Sequence, residues 1–287
     1  MASVIIAAHN EEALIGRCLD ALRDQRTAAA LQIIVSANGC TDRTAEVAAS
    51  RGATVIDRSE SGKAGALNAA ERIATSFPRV YLDADIVVPP DAIEQVLAVL
   101  SASPEILAVV PRRRINVQGR PSAVRAYFAI NERLPAFRYG LFGRGMITLS
   151  EAGRSRFTEF PLMIADDLFI DSVFCAEEKA EAADVEVLVE APYSTRSLLA
   201  RLVRVRRGNI QMRAASASGE VQVAVRPADR WAWFRDVVLA EPRLALAAGP
   251  YLAMTLLAGA LARRPATGWG RDGSTRAQLA DRDGMVA

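Results

Sequence analysis

The stretch "VYLDADIVVPPD", residues 80–91, places two carboxylates, Asp83 and Asp85, where an apolar run gives way to prolines. The run reads as a buried strand. Side chains alternate faces along a strand, so the pattern predicts that Asp83 and Asp85 point the same way. Two carboxylates that close repel unless a positive charge lies between them. A hard divalent cation with oxygen ligands supplies such a charge. The other reading is a strand that ends in a solvated turn, with Asp91 capping the next helix.

The surrounding chain bears on that choice. Apolar runs recur at 3–9 ("SVIIAAH"), 31–38 ("LQIIVSAN"), 53–58 ("ATVIDR"), 79–85 ("RVYLDAD") and 107–113 ("LAVVPRR"). The segments between them, 11–25, 41–51, 62–76 and 91–102, have apolar residues at helical spacing. Such alternation predicts an α/β fold: a mostly parallel sheet with helices on both faces. Active sites of these sheets lie at the carboxyl ends of the strands. Four polar sets therefore converge on one edge: His9 to Glu12, Asn38 to Asp42, Arg58 to Lys63, and Asp83 to Asp85. In the second half the pattern predicts helices over 121–138, 150–156 and 195–218, a helix start within 164–174, and strands over 145–150 and 184–192. Alternation is weaker there, and a mixed sheet is expected.

A chain of 287 residues fits one large α/β domain, or one domain with an appendage. With 51% hydrophobic and 24% charged residues it is not globally disordered. The formal charge of +2 argues against a nucleic-acid partner. Only Lys63 and Lys179 are lysines, so 33 of the 35 cationic residues are arginine. Cys18, Cys40 and Cys175 show neither metal-ligand spacing nor a disulfide framework, which suits a reducing compartment. The opening residues lack the charged and apolar regions of a signal peptide, so a cytoplasmic location is expected.

Composition shifts near the carboxy terminus. A 19-residue uncharged run, Leu244 to Ala262, is flanked by Arg243 and by Arg263-Arg264. At about 1.5 Å per residue it nearly crosses a bilayer core of roughly 30 Å. It is alanine-rich and interrupted by Gly249-Pro250. Two expectations follow: association with the inner face of the cell membrane, or a buried hairpin packing on the domain. Residues 265–287 read as a disordered tail.

Four motifs in order, "AAHNEE" (7–12), "VSANGCTDRT" (35–44), "GKAGALNAA" (62–70) and "LDAD" (82–85), resemble those of family 2 glycosyltransferases, which have the Rossmann-like GT-A fold. The resemblance spans roughly residues 3–210. It implies a nucleotide-sugar-binding half (1–110), an acceptor-binding and catalytic-base half (111–225), and a hydrophobic helical appendage (226–264). The activity implied is inverting transfer of a sugar from a UDP- or GDP-sugar to an acceptor hydroxyl, lipid-linked or membrane-proximal if the appendage meets a membrane.

By the same resemblance, "DAD" binds Mn²⁺ or Mg²⁺ bridging the diphosphate, with Asp85 a direct ligand and Asp83 nearer the ribose or metal edge. The implied nucleotide-sugar site takes in Ala8, His9, Asn10, Glu12, Asn38, Lys63, Asp83, Ala84 and Asp85. His9 stands where the family often has Tyr, and would stack on the base. Ala37-Asn38 replaces the usual acidic pair, leaving an amide for base or ribose. Thr41 and Asp42 read as a structural N-cap. Lys63, in a Gly-flanked turn at a helix start, suits phosphate. "ADD", residues 165–167, matches an acidic pair that supplies the base, with Asp167 in register and Asp166 the alternative. "RVRRGN" (204–209) partly matches a Q-x-x-R-W element, so Arg206 and Arg207 are candidates for the diphosphate. Two other classes compete. "LDADIVV" also fits the nucleophile motif of haloacid-dehalogenase phosphatases, but three strands precede it here. A non-catalytic binding module of the same fold would have lost metal or base carboxylates, and this chain keeps both.

Overall fold

The computed structural model describes residues 1–264; the tail expected at 265–287 lies outside them. The described residues form two compact units, one of Met1–Arg114 with Gly143–Val189, the other of Ile115–Phe142 with residues 190–264.

The first unit is built on β1 (Ala2–Ala8), α1 (Ile15–Arg23), β2 (Leu31–Asn38), α2 (Thr44–Ser50), β3 (Thr54–Arg58), α3 (Lys63–Glu71), β4 (Arg79–Asp83), α4 (Ala92–Ser101) and β5 (Ala108–Asn116). After an excursion through α5 (Ser122–Asn131) and α6 (Pro135–Tyr139), it resumes with β6 (Met146–Leu149), α7 (Glu151–Arg154), α8 (Asp166–Val173) and β7 (Lys179–Glu190). The sheet runs β3-β2-β1-β4-β6-β5-β7. β1 is parallel to β2 and β4, with Ile5 opposite Ile34 and Tyr81. Val4, Ile5 and Ile6 are wholly buried, as a central strand covered on both faces requires. β6 inserts antiparallel between β4 and β5, so the fifth apolar run does not pair with the fourth. The sheet is mixed in its second half, as expected.

Two local expectations change. The helix expected over 121–138 divides, because Leu134 is extended ahead of Pro135 (ψ 136°); proline disfavours the helical region for the residue before it. Asp91 stands at the start of α4 but makes no side-chain cap; its carboxylate lies 3.8 Å from Arg26.

The second unit adds α9 (Thr195–Ala217), a π-helical turn at Trp233–Val238, and α10 (Ala245–Ala262). The Gly249-Pro250 interruption does not make a hairpin: α10 is one helix with Pro250 inside it. It packs on α5 and α9, burying Tyr251, Met254, Ala258 and Ala262. Tyr251 stacks on Tyr127 at 5.2 Å between ring centroids.

α3 is fixed to the sheet by its last residue. Glu71 accepts from Arg79 Nε (3.2 Å) and forms an ion pair with Arg154 (Nε 3.1 Å), and the Tyr81 hydroxyl donates to it at 2.7 Å. Arg79 is 5% exposed. Removing one partner of a buried pair strands the other charges. Glu71→Ala should therefore destabilise the protein by about 3–5 kcal/mol, read as a lower urea midpoint; a midpoint within error of wild type would refute the role given to Glu71.

Candidate active site

β4 ends at Asp83, whose amide donates to Gly145 O at 2.8 Å. The Ile86 amide donates to Asp83 O at 3.2 Å, closing a turn over Ala84 and Asp85. The strand-alternation argument therefore does not reach Asp85, whose direction is set by the turn. Asp85 is exposed, whereas the Asp83 side chain is 42% exposed. Burial, then the charges of Asp85 and Asp83, pushes the Cys18 thiol well up. Gly145 makes the close approach possible. Its φ is +71°, and a Cβ there would lie 2.5 Å from Ile86 Cγ1.

Lys63 opens α3, and its Nζ lies 2.8 Å from Asp83 Oδ1 and 2.8 Å from Asp166 Oδ2. Burial works against its charge, but Asp166, Asp83 and Asp167 outweigh it and hold the ammonium well above the usual lysine range. Asp166 and Asp167 form the first turn of α8, after Ala165 in a left-handed conformation (φ 100°). A non-glycine residue there is strained, and such strain concentrates at functional sites. Asp167 Oδ2 accepts from the Gly143 amide at 3.1 Å. Burial, then the charge of Asp166, pushes the Asp167 carboxyl up to about 7, against the pull of Lys63. These side chains line a cleft together with Arg144. Arg144 was not singled out in the sequence. It is 4% exposed and ties the cleft wall to Pro111 O (3.1 Å) and Glu181 (2.5 Å). Among so many arginines nothing marked it.

The loops after β1 and β2 are stitched together. Asn38 is 3% exposed; it donates to Ala8 O (2.7 Å) and Ser36 O (3.4 Å) and accepts from the Gly62 amide (2.9 Å). Its side-chain amide is thus engaged by the backbone of Ala8, Ser36 and Gly62. Asn10, at φ 52°, accepts from the Thr41 amide at 2.8 Å. Glu12 accepts from the Arg43 amide at 3.0 Å, and Asp42 accepts from the Glu12 and Thr44 amides, both at 3.1 Å. His9 Nδ1 donates to Asn38 O, leaving Nε2 buried with no hydrogen-bond partner. Arg206 and Arg207 belong to the second unit, where Arg207 donates to Leu261 O at 3.2 Å, at the carboxyl end of α10.

No group of three or more His, Cys, Asp or Glu able to hold a metal occurs among the described residues. A two-carboxylate site still fits Mn²⁺ or Mg²⁺. Mg²⁺ is held by one or two carboxylates and completes its shell with substrate phosphates and water, and oxygen-only donors suit Mn²⁺ equally. Asp83, half-buried, and Asp85, exposed, offer that donor set at the end of β4.

The glycosyl transferase family 2 model matches residues 3–153, more than half of the chain. The chain belongs to that family. Among solved structures, the glycosyltransferase resembles the mannosyltransferase PcManGT of Pyrobaculum calidifontis, in complex with GDP-Man and Mn²⁺, at 22% identity and TM-score 0.62, over 99% of this chain and 79% of that one. Glucosyl-3-phosphoglycerate synthase of Mycobacterium tuberculosis, with Mn²⁺, UDP and glucosyl-3-phosphoglycerate, matches at 19% identity and TM-score 0.55, covering 75% and 79%. S. aureus TarS 1–349 with UDP-GlcNAc matches at 15% identity and TM-score 0.56, covering 91% and 84%. At these identities the likeness establishes the GT-A fold. None of the curated protein sequences compared matches this glycosyltransferase.

The raised Asp167 carboxyl makes stability depend on pH. Its folded pKa of about 7 lies above the ordinary 3.8. The folded state therefore holds the proton more tightly, adding stability that is full below about 4 and lost as pH rises to about 7. Asp167→Asn cannot ionise. In metal-free protein, its stability advantage over wild type should widen from pH 4 to pH 7 and then level off in urea melts. A pH-independent gap would exclude a raised Asp167.

Proposed function

We propose that this family 2 glycosyltransferase moves a hexosyl or N-acetylhexosaminyl group from a UDP- or GDP-sugar to an acceptor hydroxyl with inversion. The observation that carries the reading is the cleft at the ends of β4 and α8. There Lys63 pairs with both Asp83 and Asp166, and burial beside Asp166 pushes the neighbouring Asp167 carboxyl up to about 7. A general base works best with a pKa near the working pH. Asp167 takes the proton from the acceptor oxygen as that oxygen attacks the anomeric carbon, while the Gly143 amide, donating to Oδ2, holds the carboxylate in place. Asp166, bound to Lys63, positions the turn that carries Asp167.

Asp83 and Asp85 would hold Mn²⁺ or Mg²⁺, which when bound neutralises charge developing on the departing diphosphate. Lys63, at the amino end of α3, supplies a second positive charge beside that position. His9 presents an unpartnered buried nitrogen at the end of β1, suited to a nucleobase edge. Asn10, Asn38 and Glu12 act by fixing the loops around it. The acceptor is lipid-linked or membrane-proximal in this reading. Pro242–Ala262 has a mean hydropathy of 1.7 with only 17% of its apolar window buried, which is not the profile of a core helix.

Two variants separate the roles. Asp85→Ala should abolish Mn²⁺-dependent UDP or GDP binding in calorimetry with an unchanged melting temperature; retained metal-dependent affinity would remove the metal assignment. Asp167→Asn should lower turnover by about 10²–10⁴-fold with little change in donor affinity. If Asp166→Asn is the inactive variant instead, the base is Asp166.

A further inference from the structure

The formal charge of +2 conceals a division. Residues 115–142 and 190–264, the described part of the second unit, contain sixteen arginines and six acidic residues, a formal charge of +10. Residues 1–114 and 143–189 contain sixteen cationic and twenty-four acidic residues, a charge of −8. The basic unit is also the one that carries α10.

α10 has two unlike faces. Tyr251, Met254, Ala258 and Ala262 are buried against the unit. On the other side Leu246, Gly249, Ala253, Leu256, Leu257 and Ala260 are exposed, at the three- and four-residue spacing of one helical stripe. Leu246 is 92% exposed, Leu256 63% and Leu257 47%. From Ala245 to Ala260 the stripe is about 22 Å long, and no polar side chain interrupts it on that face. Arg243 stands exposed at one end and Arg263 and Arg264 at the other. Just upstream, Trp231 is 68% exposed and Leu239 59%. Monomeric soluble proteins rarely leave so long an apolar strip uncovered.

We propose that α10 lies in the plane of an anionic lipid surface, its outer stripe among the acyl chains and the surrounding arginines against the headgroups. A helix buried on one side against its own unit cannot cross a bilayer without losing those contacts, the Tyr127–Tyr251 stack among them. An interfacial helix keeps them, and needs only the apolar stripe and basic flanks that are present. A second copy is a poor cover, because two surfaces of charge +10 repel. The chain beyond Arg264 is polar and glycine-containing, with no apolar run to match the stripe. A nucleic acid would satisfy the arginines and leave the stripe in water. The inference deepens the membrane-proximal acceptor proposed above, and rests on it only for its purpose.

The test is flotation of the full chain with vesicles of phosphatidylcholine alone or with phosphatidylglycerol at about one third. Binding to the anionic vesicles should be at least ten-fold tighter, and should weaken as salt rises from about 0.1 to 0.5 M. Leu246→Glu combined with Leu256→Glu should weaken it a further ten-fold or more with an unchanged melting temperature, both residues being exposed. Four outcomes overturn the proposal: equal binding to neutral vesicles, binding unchanged by the double substitution, a concentration-dependent dimer with no vesicle binding, or capture of a DNA oligonucleotide in place of vesicles. Mn²⁺-dependent UDP or GDP binding by the same samples reports separately on the transferase reading, so loss of one leaves the other interpretable.

Discussion

One ammonium group organises the cleft. Lys63 Nζ is within 2.8 Å of carboxylates from two elements far apart in the chain, Asp83 at the end of β4 and Asp166 at the start of α8. Its position runs against local preference. A helix amino terminus favours negative charge and a carboxyl terminus positive charge, yet α3 begins with Lys63 and ends with Glu71. Each of the two is offset by tertiary partners: carboxylates around Lys63, and Arg79, Arg154 and Tyr81 around Glu71. α3 is therefore a short strut with both ends tied by charge. It sets how far the Asp166–Asp167 turn stands from the end of the central strands.

The second tie on that turn joins a side-chain amide to backbone. Asn68 in α3 donates to Phe160 O at 2.9 Å and accepts from the Phe160 amide at 2.8 Å, as a neighbouring strand would. Phe160 is itself buried among Tyr81, Phe157 and Phe169. The segment that follows enters α8 through the left-handed Ala165. Its strain is tolerated because anchors on both sides, Phe160 before it and Asp166 after it, leave the chain no relaxed path between them.

The sheet core was legible because its signal is local. Alternating apolar runs and helical spacing mark β1 to β4 and their helices, and the polar residues after each strand mark the edge that carries the site. What was not legible depends on distance. Nothing near residue 146 says that β6 enters antiparallel beside β4, or that Gly145 is needed because Ile86 crowds it. Asn38 looks like a ligand-facing amide in sequence, and only its three backbone partners show that it is spent. The "ADD" register placed both aspartates on α8, but what sets them apart is tertiary: Lys63 pairs with Asp166, and burial raises Asp167. Pro135 was a local signal that the helical spacing around it hid.

The charge of the α10-bearing unit is made of arginine without a single lysine; Lys63 and Lys179 both lie in the other unit. A guanidinium stays protonated at any physiological pH, whereas an ammonium can be neutralised by acetylation. The positive surface beside α10 therefore has no chemical off-switch of that kind, and alkaline shifts leave it intact. What could modulate the proposed contact is its other side: ionic strength, and the proportion of acidic lipid in a bilayer. Control over where this enzyme works would reside in the composition of the membrane and not in the modification state of the protein.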